Sequence, residues 1–411
     1  MDRLFLVGVA LLPFENFFFA PSAGWAALSP LVFFVYALCQ RDLFQLAFKK
    51  YFPIFVFAIC CLALSFFDYL LVGEFYPENF IDTVSTFALG LGCLYSFDIY
   101  LNIKKRSLAR LVKVIVVSYS IALLIGLVEF VAVKLGIGAI LSGFELIMKR
   151  CYLPRVQFMF TEPSFTTMHL FGVLLPFYMV TKEKRLLVLI GGFIVVSLLS
   201  SSSLRLLIDF TVVLLLVAAN YMDWAKVRTL LVVIVVPCVL VAFVFIGMQL
   251  NPRFASVLEK GWDSDGSFAS RAFRVEAVVD GLVEEPVHAL LGCGAGNAWV
   301  AIKDGYDKAL EGYTNSYTGE VVYLGRPDSR PTSVFCMYAR IAGEYGVVVL
   351  LLVVAYFVQL NRRVRNRGWR LLLLVCAYLY IQFDGYGFYA IWIVIALGNL
   401  VSSGNKMEVM K

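Results

Sequence analysis

The chain has 411 residues, 61% of them hydrophobic and only 16% charged, with a net charge of +6. Its mean hydropathy of +0.83 excludes an ordinary soluble domain, in which about half the residues are apolar and about a quarter charged. The positive charge sits mostly in short connections between apolar stretches, so it points to membrane lipid headgroups as partners and not to nucleic acid.

Apolar windows of about twenty residues, the length that crosses a bilayer core, recur from end to end. The sequence predicts transmembrane helices near 3–20, 24–40, 51–72, 80–101, 111–133, 163–181, 186–200, 205–222, 229–249, 333–360, 369–383 and 387–402. That is an all-α polytopic membrane protein of about twelve helices, one integral membrane domain over 1–411. The first stretch, Leu4 to Ala20, is long and aromatic-rich and runs into a second span. It reads as an uncleaved helix and not as a signal peptide. Lysine and arginine concentrate in alternate connections: Arg41 with Lys49 and Lys50; Lys104 to Arg106; Lys182 to Arg185; Lys226 and Arg228; and Arg362 to Arg370. The positive-inside rule puts those connections and both termini in the cytoplasm. Two long segments, 134–162 and 250–332, then face the outer side of the membrane.

In the first of these, GIGAILSGFELIMKR (Gly136 to Arg150) suits an amphipathic helix lying on the membrane surface. It is followed by RVQFMFTEPSFTTMHL, Arg155 to Leu170. There Thr161 is expected to cap a helix and Pro163 to occupy its first turn. Glu162 then stands at the helix end, with His169 two turns deeper on the same face. Two readings fit: a carboxylate and imidazole acting as proton acceptor and relay, or a carboxylate that favours the helix dipole and pairs with an arginine.

The second segment opens with WDSDG, in which Asp263 and Asp265 suit a turn better than a cation site. FASRAFRVEAVVDGLVEE (Phe268 to Glu285) has helical apolar spacing. Gly292, Gly294 and Gly296 follow no strand and lack a P-loop lysine, so they predict close backbone approach and not a nucleotide site. His288, among apolar residues, is expected to anchor the loop. Beyond it, Glu344 is placed to pair with Arg340 at i, i+4. The nine cysteines show neither CxxC nor zinc spacing, so no metal or other cofactor is expected.

Six arginines fall on the predicted outer side: Arg155, Arg205, Arg271, Arg274, Arg330 and Arg340. Arg205 follows a serine run at a helix start, and Arg340 is placed about two turns inside its span. An arginine at membrane depth is costly and faces a partner or a cavity. Guanidinium groups bind phosphate bidentately. The set therefore reads either as separate ion pairs, with Glu276, Glu284, Glu285 or Glu344, or as a convergent phosphate or pyrophosphate site.

These residues resemble the bacterial O-antigen polymerases (Wzy type) and the related O-antigen ligases. The resemblance rests on Arg155 ahead of FTEPS (Phe160 to Ser164), on Ser270–Arg271, on PVHALLGCGAGN (Pro286 to Asn297) and on Glu344–Tyr345–Gly346. It covers the topology of the whole chain, and the order of the motifs carries it. The ligases have a histidine just before the helix with E-x-G. RPTSVFCMYARIAGEYG has none between Arg330 and Glu344, which favours the polymerase.

The resemblance implies a GT-C-like fold and a glycosyltransferase that polymerises lipid-linked oligosaccharide repeat units, as in lipopolysaccharide or other polysaccharide biosynthesis. The growing glycan would pass from undecaprenyl pyrophosphate to the non-reducing end of a new undecaprenyl-pyrophosphate-linked oligosaccharide on the periplasmic face. Direct attack would invert the anomeric centre, with arginines in place of the metal that many sugar transferases use. Glu162, Arg271 and His169 are then the catalytic candidates; Arg155, Arg205, Arg274, Arg330 and Arg340 are the pyrophosphate-binding ones. A chain-length-regulating co-polymerase (Wzz type) is the implied protein partner. The alternatives are a ligase transferring glycan to lipid A-core and a flippase for the lipid-linked oligosaccharide. One-sided polar chemistry speaks against the flippase.

Overall fold

The structure, a computed structural model, describes residues 1–15, 27–147, 155–200, 203–221, 245, 249, 255–257, 259, 265–313, 319–364 and 366–402. Helices and their connections make up these residues, and no strand occurs among them. Five of the described helices are long and apolar enough to cross a membrane: Arg41–Val72, Pro77–Ile103, Leu108–Leu135, Pro163–Thr181 and Met337–Arg363. Ser29–Cys39 and Tyr389–Val401 are apolar but shorter.

Hydropathy windows mark apolar stretches without regard to helix breakers. Among its described residues, 1–15, the first stretch is helical over Asp2–Ala10, followed by a turn at 11–13 that contains Pro13. The stretch near 369 ends as Arg367–Leu379 in a 3-10 turn, with Phe383 extended beyond it. Local chemistry fixes other ends. Gly73 and Gly136 cap two long helices with φ of 72° and 66°, a conformation that glycine adopts without a Cβ penalty. Ser107 and Asn366 cap two helix starts through their side chains. The segment predicted to be an amphipathic helix is helical over Gly138–Ile147. The predicted span 229–249 lies almost wholly outside the described residues.

One core joins the bundle helices, with Phe5, Phe33, Phe97, Tyr119, Phe158 and Phe193 at its centre. The long loop has a second core of its own. Its helix Gly266–Glu284, close to the span its periodicity predicts, buries Phe273, Ala277 and Val278 against Trp299 and Ile302 of Ala298–Asp304. Val72, Tyr76, Ala339 and Ala342 continue that core onto three bundle helices at the same end.

The glycine segment is the strap that fixes this module. Gly292, Gly294 and Gly296 have φ of 92°, 92° and 80°. A Cβ there would stand 2.5 Å from the Glu344 backbone, 2.4 Å from the Tyr69 ring and 2.6 Å from the Asn79 backbone. The close approach that the sequence suggested is therefore present. Its counterpart is a break in Met337–Arg363 at Gly346, where φ is 80° and ψ 166°. The carbonyls of Gly343 and Glu344, just before the break, accept from the amides of Cys293 and Gly294 at 2.8 and 2.9 Å. Buried backbone acceptors need partners, and here the loop supplies them to a kinked helix. Ser65 and Tyr69 bond the Ala295 amide and carbonyl at 3.0 and 2.7 Å.

Candidate functional site

The segment before Pro163 is irregular, and two fully buried carboxylates hold it. Glu129 accepts from the amides of Gln157 and Phe158 at 2.9 and 2.8 Å. Gly126 faces the Phe158 ring at a distance that leaves no room for a Cβ. Glu15 accepts from the amide and the hydroxyl of Thr161 at 3.3 and 3.4 Å. Thr161 is thus not the helix cap. Glu162 occupies that position in an extended conformation, with Pro163 at the first position as expected.

His169 also departs from expectation. Residues 163–165 form a 3-10 turn, which advances about 120° per residue against about 100° in an α-helix. That adds about 60° over three residues, and Glu162 is itself extended at the cap, so the two residues do not share one continuous α-helical face and His169 lies in the core. Its Nε2 lies 2.9 Å from Glu15, its Nδ1 2.7 Å from the Tyr119 hydroxyl, and its ring stacks on Phe160 at 4.1 Å. It is fully buried and bonded to Glu15, Tyr119 and Tyr389 beneath the segment.

Glu162 faces the loop helix. Its Oε2 accepts from Ser164 Oγ at 2.8 Å and from Arg271 Nη2 at 3.1 Å, and the same Nη2 reaches Ser164 at 3.3 Å. The two charged side chains keep 22% and 17% of their surface exposed. Among the described residues only Nη2 of Arg271 makes a hydrogen bond, which leaves its other N–H groups for a ligand. The Arg271 guanidinium also lies 4.9 Å from the Phe335 ring centre, and that of Arg274, one helical turn on, lies 4.8 Å from it. Two cations share one aromatic shelf.

That shelf is shaped by Asp384. Its carboxylate accepts from Ser333 Oγ at 3.1 Å and from the amides of Val334 and Phe335 at 2.5 and 3.0 Å. Phe335 is held at φ 61°. Arg274 donates to the Ser333 carbonyl at 2.7 Å and approaches Glu320 at 4.0 Å; Glu320 also accepts from Ser270. Burial pulls the Arg274 pKa below its usual value, against the opposing pull of Glu320 and Asp384; a guanidinium keeps its charge under such a shift.

Arg205 is buried behind this centre. It donates to Asp209 at 3.0 Å and to the Leu379 carbonyl at 3.1 Å, and both it and Asp209 lie within the electrostatic reach of Arg271. Arg340 sits in the first turn of its helix and not two turns inside, because Asp384 draws 333–335 out of the helix that begins at Met337. It donates to Glu344 at 2.7 Å, as its spacing predicts, to the Asp384 carbonyl at 3.0 Å and to Thr83 at 3.0 Å, and it lies over the Tyr386 ring.

Arg330 stands apart, over Tyr76 and Trp299, and donates to the Pro327 carbonyl. Arg155 is half-buried at the head of the segment that carries Glu162. His288 anchors the loop through Asp304 at 3.2 Å. Asp265 caps the loop helix at Phe268, in line with a turn, while Asp263 lies outside the described residues.

The structure thus joins Arg205, Arg271, Arg274 and Glu162 in one neighbourhood and excludes His169 and Arg330 from it. Sequence reasoning missed Phe335, Asp384, Asp209, Glu15 and Glu129. A usable signal existed for the four acids: each is a lone carboxylate in an apolar stretch, where an ionisable group needs a reason. No protein-family model matches the chain, and no curated protein is significantly similar to it.

Proposed function

We propose that the chain is a glycosyltransferase that polymerises lipid-linked oligosaccharide units at the periplasmic face of a bacterial inner membrane. In this reading about twelve spans place both termini in the cytoplasm and the loop module outside. The observation that carries it is the Phe335 shelf, with Arg271 and Arg274 on one ring and Glu162 3.1 Å from Arg271.

The shelf suits a pyrophosphate. Two guanidinium groups neutralise charge as it develops on the leaving group. Glu162 is the acceptor for the proton of the attacking sugar hydroxyl. The new bond forms between that hydroxyl oxygen and the anomeric carbon, and the old bond to the phosphate oxygen breaks with its electron pair. The configuration inverts.

The test is purified full-length protein with lipid-linked repeat units, read as ladders of glycan length. Ladders that vanish in both Arg271→Ala and Glu162→Gln support the proposal. Ladders unchanged in both variants, or translocation of the substrate across vesicles without elongation, overturn it.

A further inference from the structure

The loop helix Gly266–Glu284 buries Phe273, Ala277 and Val278, yet it leaves other apolar side chains outside. Val279 and Val283, one turn apart on it, and Val287 and Leu290 on the next helix, Pro286–Leu291, are each more than half exposed. Single exposed apolar residues are ordinary, whereas a run of them over consecutive turns marks a contact surface. A line of acids runs beside it. Glu276, Asp280 and Glu284 each follow one position after Val275, Val279 and Val283, so they form the adjoining edge of the helix. Glu276 and Glu284 are exposed, and Asp280 pairs with Lys308 at 3.5 Å. An apolar stripe with a charged edge suits a helix at the boundary between lipid and water.

The packing identifies the medium that meets this stripe. The Leu290 carbonyl lies so close to Gly346 that a Cβ there has no room. At that contact Met337–Arg363 changes character: residues 339–346 are buried, while Val347, Val348 and Leu351 are exposed. The strap also presses Gly294 against Tyr69, and the same end of Arg41–Val72 exposes Phe67, Leu70 and Leu71. Both helices are long and apolar enough to cross a membrane, so their exposed apolar faces belong to lipid. The stripe adjoins those faces through Leu290.

We propose that Val279, Val283, Val287 and Leu290 seat the loop module in the bilayer, at the boundary between headgroups and acyl chains. The acidic edge stays on the watery side. Arg271 stands eight residues before Val279, about 12 Å along the helix, so the contact sets the height of the guanidinium pair relative to the headgroups. The inference rests on the chain spanning a membrane and is independent of the transfer reaction.

The experiment uses the full chain, one copy per phosphatidylcholine nanodisc, and two phosphatidylcholines that carry a trifluoromethylphenyl diazirine. One holds the diazirine at the headgroup end of an acyl chain, the other at the chain's far end. Adducts are placed by mass spectrometry. The shallow probe should label Val283, Val287 and Leu290 at least about fivefold more than the deep probe, as for a helix seated about 5–10 Å into the boundary. Val358, exposed twelve residues beyond Gly346 and so about 18 Å further along the span, should take chiefly the deep probe. Adducts on Val347 and Leu351 with none on the stripe overturn the proposal and leave the stripe to water or to another protein. Equal labelling of the stripe by both probes overturns it too. With one chain per disc, no second copy covers the stripe. No glycan is present, so an unlabelled stripe leaves the transferase reading standing, and absent glycan ladders leave the lipid contact standing.

Discussion

Arg271 and Arg340 both face a glutamate, yet they do different work. Arg340 spends its Nε, Nη1 and Nη2 on Glu344, Asp384 and Thr83 and its face on Tyr386. It bonds the ends of three segments together and has little left to offer a ligand. Arg271 spends one nitrogen on Glu162 and Ser164, at a partly exposed position. The difference teaches that a guanidinium's role follows from the donors it keeps in reserve, and not from its depth in the bundle.

That contrast can be broken most forcefully at Arg340. Arg340→Met leaves the fully buried Glu344 carboxylate without its cation and should cost about 3–5 kcal/mol of stability, read by thermal unfolding in detergent. Pairing it with Glu344→Gln should recover part of the loss. Arg271→Ala should do the reverse: stability changes by less than about 1 kcal/mol, as for a partly exposed ion pair. Elongation falls by about 10²–10³ if the group stabilises developing charge. A loss of stability without loss of rate would put Arg271 in the same class as Arg340.

Glu15→Gln sharpens the comparison from below, because it loosens the segment that presents Glu162 without touching the shelf. Thr161, His169 and Tyr389 lose a charged acceptor. A cost of about 1–3 kcal/mol is expected, with a fall in turnover and an unchanged affinity for the lipid. His288→Asn should have the smallest effect, under about 1 kcal/mol, since its partner Asp304 stays partly exposed and neither touches the shelf. A larger drop in rate would join the loop's far side to the site.

Features governed by near neighbours were legible in the sequence. Helical spacing marked Gly266–Glu284, the i, i+4 interval marked Arg340 with Glu344, and three glycines marked a close approach. What stayed hidden depends on partners far along the chain. Glu15 meets Tyr389 across the whole length of the protein, and Asp384 shapes a shelf fifty residues earlier. No local pattern announces such pairings. His169 shows a subtler failure: its spacing from Glu162 was right for a continuous α-helix, but Glu162 is extended and a 3-10 turn intervenes. The expected arginine convergence fares between the two. Arg205, Arg271 and Arg274 come together, while Arg330 stacks on Tyr76 and Trp299.

The break at Gly346 also bears on the order of assembly. The carbonyls of Gly343 and Glu344 receive their hydrogen bonds from Cys293 and Gly294, residues that leave the ribosome about fifty positions earlier. In hydrocarbon an unmatched backbone group costs several kcal/mol. The strap is therefore already synthesised when the later helix needs it, and it acts as a built-in template. A chain whose loop fails to dock would hold an unfinished helix in the bilayer, so folding of the loop module and insertion of Met337–Arg363 become a single event.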